Sequence, residues 1–153
     1  MSAVFYKPIE NYAEVFNTIV KNTAQYITDN NLKCMVLGIS GGIDSTVVAA
    51  ICHEVSKRTG VPLIGRSLPT KHNKEGETTA ADWVGKAFCN DYKEVNINKW
   101  YQDSLDFNEY YSTIAAGNIQ ARLRMIYLYN LASIHRGLVM DTDNLTENNL
   151  GYF

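Results

Sequence analysis

Apolar residues change their spacing repeatedly along this chain. Ile9, Tyr12, Phe16, Ile19, Val20 and Ile27, together with Thr23, recur on one helical face, and Pro8 stands where a first turn tolerates it. This predicts an amphipathic helix over residues 9–28. A short apolar run over residues 34–39 predicts a first strand. Val47, Val48, Ile51 and Val55 then return to helical spacing and predict a helix over residues 44–57. Gly60 breaks the chain before a second apolar run at 61–68, read as strand two. Residues 69–76 are polar, with Pro69 and Gly76 at the two ends, and predict a mobile loop. Behind it come a helix at 77–88, a third strand at 92–97 and a strong helix at 118–135. The fourth strand is expected at 137–142. Residues 100–116 are rich in aromatics and match neither period. No repeat, low-complexity tract or linker interrupts the pattern.

Strands alternating with helices argue for a parallel sheet with right-handed crossovers. The expected fold is therefore α/β, a Rossmann-like parallel sheet of about four strands with helices on both faces, as one domain over residues 1–153. Ligands of such sheets bind outside the carboxyl ends of the strands. Topology alone then brings Ser40 to Ser45, Leu68 to Lys71 and Thr142 to Glu147 onto one rim.

Composition narrows the picture by exclusion. At 153 residues, 46% apolar and 20% charged, the chain can bury a real core. A net charge of −2 leaves no basic footprint for nucleic acid. Cys34, Cys52 and Cys89 match neither a zinc spacing nor a disulfide framework, and reduced core thiols are the better reading. His53, His72 and His135 are equally scattered and read as surface or packing residues. No signal peptide and no membrane-length apolar run occurs, so a soluble cytoplasmic protein is expected.

The chemistry begins at Val36-Leu37-Gly38-Ile39-Ser40-Gly41-Gly42-Ile43-Asp44-Ser45-Thr46. A strand-like run passes through two glycines into a helix-like pattern, which aims backbone N–H groups at one spot beside the positive end of a helix dipole. Phosphate is the natural occupant. Asp44 would repel phosphate by itself, so its presence suggests a bridging divalent cation, and the reading is a nucleoside triphosphate with magnesium. The plainer reading is a Gly-rich turn that Asp44 and Ser45 merely cap. The order of strand, loop and helix favours the phosphate. A Walker A ending is missing, and so is the Gly-x-Gly-x-x-Gly fingerprint. The pattern instead resembles the pyrophosphate loop of ATP pyrophosphatases.

Two further segments carry polar residues in apolar company. On the helix opened by Gly117-Asn118-Ile119-Gln120-Ala121-Arg122-Leu123-Arg124-Met125, the residues Asn118, Arg122, Met125 and Tyr129 share a face. An arginine at 122 is expected to be partly buried and to want an anionic partner; Arg124 reads as a solvated surface residue. Leu138 to Asn144 joins a strand to a polar loop leading to Glu147. Turn chemistry explains that loop equally well, but the rim argument lets Glu147 meet Asp44 in a two-carboxylate magnesium site.

Taken together, these segments resemble the ammonia-dependent NAD+ synthetases. The family pattern is a Ser-Gly-Gly-x-Asp-Ser loop, an Asn-x-x-Ala-Arg-x-Arg-Met helix, a Gly-Thr-Asp/Gly-Asn/His-x-x-Glu loop and a Gly-Tyr/Phe-Phe end. All four have counterparts here, in order, from about Met35 to Phe153. The resemblance implies that Gly38, Ile39, Ser40, Gly41, Gly42, Ile43, Asp44 and Ser45 bind ATP and that Thr142 contacts it. It implies Asp44 and Glu147 as magnesium ligands, Arg122 as a contact to deamido-NAD+, and a homodimer. The implied reaction attaches AMP to the nicotinate carboxylate and then exchanges AMP for ammonia. Asp143 is a candidate for handling ammonium, and with no glutaminase region before Met1, free ammonia is the expected nitrogen source.

Departures from the pattern set further expectations. Asp141 stands where the family has glycine, adding a negative charge near the phosphates. Ser67 precedes Leu68-Pro69 where relatives often carry arginine, and Arg66 should point to the opposite strand face. The chain stops at Gly151-Tyr152-Phe153, where relatives continue into a lysine-bearing loop. The expectation is a C-terminally incomplete domain that binds ATP weakly and turns over slowly or not at all. The loop at 69–79 is a candidate lid. The rival readings are a related amide ligase such as a GMP or asparagine synthetase, a nucleotide-binding fragment without activity of its own, and an α/β domain with no ligand.

Overall fold

The structure is a computed structural model that describes residues 9–109 and 112–150. Helix α1 (Tyr12–Asp29) leads into β1 (Met35–Gly38), α2 (Ile43–Thr59), β2 (Leu63–Ser67), α3 (Glu75–Phe88) and β3 (Asp91–Glu94). The chain continues through α4 (Asn98–Phe107), α5 (Thr113–His135), β4 (Leu138–Val139) and α6 (Leu145–Leu150). The strands form one parallel sheet in the order β3-β2-β1-β4. Met35 on the central strand pairs with Leu63 on one side and Leu138 on the other.

The side-chain alternation of β1 builds two cores. Met35, Leu37 and Ile39 face α1, α2 and α3, where they pack with Val20, Ile27, Ala49, Cys52, Val55 and Ala81. Cys34 and Val36 face the other way, against Leu128, Leu131 and Ala132 of α5. Both faces are covered, which is why this segment reads as a continuous apolar run rather than an alternating one. A third cluster joins Leu68, Ile97, Tyr101 and Leu123 where α4 and α5 meet the far end of β2. The expected α/β class, four parallel strands and two helical layers are therefore present.

Boundaries differ from the sequence expectation for local reasons. Helix α1 starts at Tyr12 because the Asn11 side chain accepts the Glu14 N–H at 3.1 Å; Pro8 lies outside the described residues. Helix α5 starts before Gly117, ahead of the expected boundary, because Ser112 caps it through the Ala115 N–H at 3.1 Å. Part of the ambiguous stretch at 100–116 belongs to α4. Strand β4 is short, and α6 is an addition to the expected elements. It begins in a capping box: Asn144 Oδ1 accepts the N–H groups of Thr146 and Glu147, while Glu147 Oε2 accepts the Asn144 N–H at 2.8 Å. The terminal Gly151-Tyr152-Phe153 motif lies outside the described residues.

Candidate functional site

The strand order places β1 between neighbours reached in opposite directions, β2 by one crossover and β4 by the return of the chain. Such a reversal opens a crevice at the carboxyl ends of the strands. A cleft of about 520 Å³ lies there, lined by Gly38, Ile39, Ser40, Gly41 and Gly42 after β1 and by Thr142 after β4. Its remaining walls come from Arg66 to Pro69 after β2, from Asn73, Glu77 and Thr78 at the start of α3, and from Arg124 and Leu128 of α5.

The glycine loop is held by its own hydroxyls. Ser45 is buried, and its Oγ donates to the Gly42 carbonyl at 3.1 Å and lies 3.1 Å from Ser40 Oγ. Ser40 Oγ accepts the Gly42 N–H at 3.2 Å, and Thr46 Oγ1 donates to the Gly42 carbonyl at 2.8 Å. These bonds turn the chain sharply into the first turn of α2. Gly41 has φ +85°, and a Cβ there would meet the Glu77 carbonyl. The loop therefore nests directly against the first turns of α3, and only glycine permits that approach.

The expected site residues divide into two groups. Gly38 to Gly42 and Thr142 are brought together in the cleft. Ile43, Asp44, Ser45, Asp143, Glu147 and Arg122 are not among its lining residues. Ile43 and Asp44 are exposed on the first turn of α2. Glu147 is half-buried, its carboxylate engaged in the α6 capping box. Asp143 is exposed, yet its carboxyl sits above the ordinary value, first through loss of solvation and then through the charges of Asp141 and Glu147. Among the described residues no three His, Cys, Asp or Glu side chains gather as a metal-holding group. Two carboxylates suit magnesium nevertheless, which commonly completes its shell with substrate phosphates and water.

The two arginines of α5 exchange the environments expected of them. Arg122 is exposed beside exposed Met125 and Tyr129, so the stripe they share faces outward rather than into the core. Arg124 is the half-buried one. Its Nε donates to the Leu68 carbonyl at 3.1 Å and its Nη2 to Asn73 Oδ1 at 3.2 Å. Burial pushes its guanidinium below the ordinary value, and the Glu77 carboxylate opposes that shift. Helical spacing signals that one arginine faces the sheet; the inner stripe is the one that carries Arg124, not Arg122.

Arg66 and Ser67 are both buried at the cleft. The Arg66 charge is spent inside the fold, on Asp91 Oδ2 at 2.7 Å and on the carbonyls of Gly65 and Asp91. The three thiols are free, and burial pushes Cys52 to about 12 and Cys89 to about 11. His53 Nδ1 lies 2.9 Å from the Phe88 carbonyl, and His72 packs edge-on against Tyr101, both structural roles. No helix among the described residues is long and apolar enough to cross a membrane.

Known proteins share this architecture. The family model described as NAD synthase matches residues 15–153. The NH(3)-dependent NAD(+) synthetase of Finegoldia magna is 35% identical over 144 residues, covering 94% of this chain and 58% of that protein. The enzyme of the same name from Thermococcus sibiricus is 32% identical over 150 residues, covering 94% and 55%. Among solved structures, the NH3-dependent NAD synthetase from Campylobacter jejuni in complex with the nitrate ion superposes with a TM-score of 0.85 at 25% identity, covering 94% of this chain and 61% of that one. The NMN synthetase from Francisella tularensis gives 0.82 at 30% identity, covering 92% and 58%. The chain spans somewhat more than half the length of these curated relatives.

Proposed function

The chain belongs to the NAD synthase family, and we propose that it carries the ATP-binding part of a ligase that amidates deamido-NAD+ with ammonia, forming NAD+, AMP and pyrophosphate. The observation that carries this reading is the meeting of the Gly38 to Gly42 loop with Thr142 in one cleft at the sheet's reversal point. There the N–H groups of the loop and the start of α2 receive the triphosphate, and Ser45 keeps the loop in shape from beneath. Thr142 contacts the nucleotide from the opposite wall.

In the first step a nicotinate carboxylate oxygen attacks the α-phosphorus of ATP, and the bond to pyrophosphate breaks. In the second, ammonia attacks the acyl carbon, AMP leaves with the oxygen, and the nitrogen loses a proton. This chain's contribution is positioning and neutralisation of charge; no covalent bond to the protein is needed. Asp44 and Glu147 would hold magnesium, whose charge offsets that of the phosphates. Asp143, on the loop that joins Thr142 to Glu147, is the candidate for handling ammonium. Arg122 is assigned to the dinucleotide.

The exposed apolar face of α5, with Met125, Ile126 and Tyr129 beside Arg122, supports a homodimer whose second copy completes that dinucleotide site. The free thiols support a cytoplasmic setting. A second reading keeps the chemistry and shortens the acceptor to a nicotinate mononucleotide. It is favoured by the likeness to the Francisella NMN synthetase, at 30% identity.

The test is NAD+ formation from deamido-NAD+, ATP, magnesium and ammonium, run in parallel with the mononucleotide acceptor. Product that requires all four components establishes the first reading, and turnover of the mononucleotide alone establishes the second. ATP binding without product would identify a nucleotide-binding portion that needs the remainder of the enzyme. Absence of ATP binding would refute both readings.

A further inference from the structure

We propose that Arg124 is the anion-binding side chain of the cleft, taking a phosphate of the bound nucleotide from the wall opposite the glycine loop. The proposal rests on the ATP reading above and names a residue that reading does not use.

Two arginines line the cleft, and the fold treats them differently. Arg66 is buried and neutralised by Asp91 at 2.7 Å, so its charge is unavailable to a ligand. Arg124 has no carboxylate within ion-pair distance among the described residues, and its two hydrogen-bond partners are the neutral oxygens of Leu68 and Asn73. A guanidinium carries five N–H donors in a rigid fork, and among the described residues two of these are engaged, leaving three. A half-buried cation without a counter-ion is costly. Anchoring by a carbonyl and an amide fixes its position without discharging it, which suits a site that waits for an anion.

The surrounding network supports that division of labour. Asn73 accepts from Arg124 and from the Thr70 N–H through Oδ1, and donates through Nδ2 to Glu77 Oε2. It therefore stands between the carboxylate of the cleft lining and the guanidinium. Glu77 is also bonded by the Lys74 N–H. One turn earlier on α5, Gln120 Nε2 donates to Thr70 Oγ1 at 2.7 Å. The β2–α3 connection is thus tied to α5 at Leu68, Thr70 and Asn73. Arg124 lines the same cleft as the Gly38 to Gly42 loop that leads into α2. A phosphate between these walls meets a charged fork on one side and a helix N-terminus on the other.

Affinities of the full chain for MgATP, inorganic pyrophosphate and adenosine, measured by calorimetry, test this. Arg124→Gln keeps a hydrogen-bonding side chain near Asn73 but removes the charge, and Arg124→Lys restores a charge without the fork. Arg124→Gln is expected to weaken MgATP and pyrophosphate about tenfold or more while leaving adenosine within about twofold. Arg124→Lys is expected to recover part of the loss. A parallel fall for all three ligands, with no recovery in the lysine variant, would mean that Arg124 only braces the loop and would overturn the proposal. Unchanged MgATP affinity in Arg124→Gln would overturn it while leaving the ATP reading intact. Failure of the unsubstituted chain to bind either MgATP or pyrophosphate would remove both.

Discussion

Gly41 concentrates at one position the demands of the proposed site. Its φ of +85° and its contact with the Glu77 backbone leave no room for a side chain. Gly41→Ala is expected to cost about 2 kcal/mol or more, since the left-handed conformation alone costs roughly 1–2 kcal/mol in an L-residue. Chemical denaturation would measure it, and MgATP binding should be lost as the loop pulls away from α3. A variant of full stability and affinity would show that the loop has another conformation to use. A second residue-level expectation concerns acid. The Arg66 hydrogen bond, then its charge, holds the Asp91 carboxyl below its ordinary value. The pair therefore contributes stability above about pH 4, lost as the pH falls through the folded-state value. Asp91 is partly exposed, so solvent screens the pair and the contribution is modest. Asp91→Asn should flatten the fall in melting temperature at acid pH; an unchanged slope would mean that other carboxylates dominate. These residues also mark the limits of reading a sequence. The glycine loop is legible because strand, glycines and hydroxyls stand together within a dozen positions. Arg124 is not, because helical spacing says that two arginines two residues apart face different ways without saying which way is inward.

At the scale of elements, close approach between α3 and β3 decides the edge of the sheet. Gly85 is buried, and a Cβ on it would meet the ring of Tyr92. Alanine is worth up to about 1 kcal/mol more than glycine in a helix interior. Overpacking costs roughly 1–3 kcal/mol, which should outweigh that gain. Gly85→Ala is expected to lower stability by about 1 kcal/mol, read from the denaturation midpoint. A rise in stability would show that the ring swings aside freely. Helices α1, α2 and α3 are legible from helical spacing, and β1 and β2 from apolar runs that the structure buries along their length. Helix α6 is not, since its stability comes from a capping box rather than an apolar stripe. The same box gives Glu147 a structural task beside its proposed metal role, and sequence pattern does not separate the two.

For the whole molecule, the expected signature of function is linkage between ligand binding and stability. MgATP at about a hundredfold its dissociation constant should raise the melting temperature by about 5–10 °C, and Asp44→Ala or Glu147→Ala should abolish the magnesium-dependent part. A metal-dependent shift that survives both substitutions would refute the two-carboxylate site. Exposed Asp44 and half-buried Glu147 stand in the first turns of different helices, so the proposed site draws on two separate elements.

What the sequence determined by itself is local and periodic: an α/β chain, its strand-forming runs, and a glycine turn between strand and helix. These follow from side-chain spacing and from backbone angles that only glycine adopts freely, both properties of short segments. The tertiary structure alone decided the order β3-β2-β1-β4. That order opens the cleft between β1 and β4, sets α3 against Gly41, and turns Arg124 inward while Arg122 faces out. Each of these depends on which surfaces come together across distant parts of the chain, and no spacing along it records that choice.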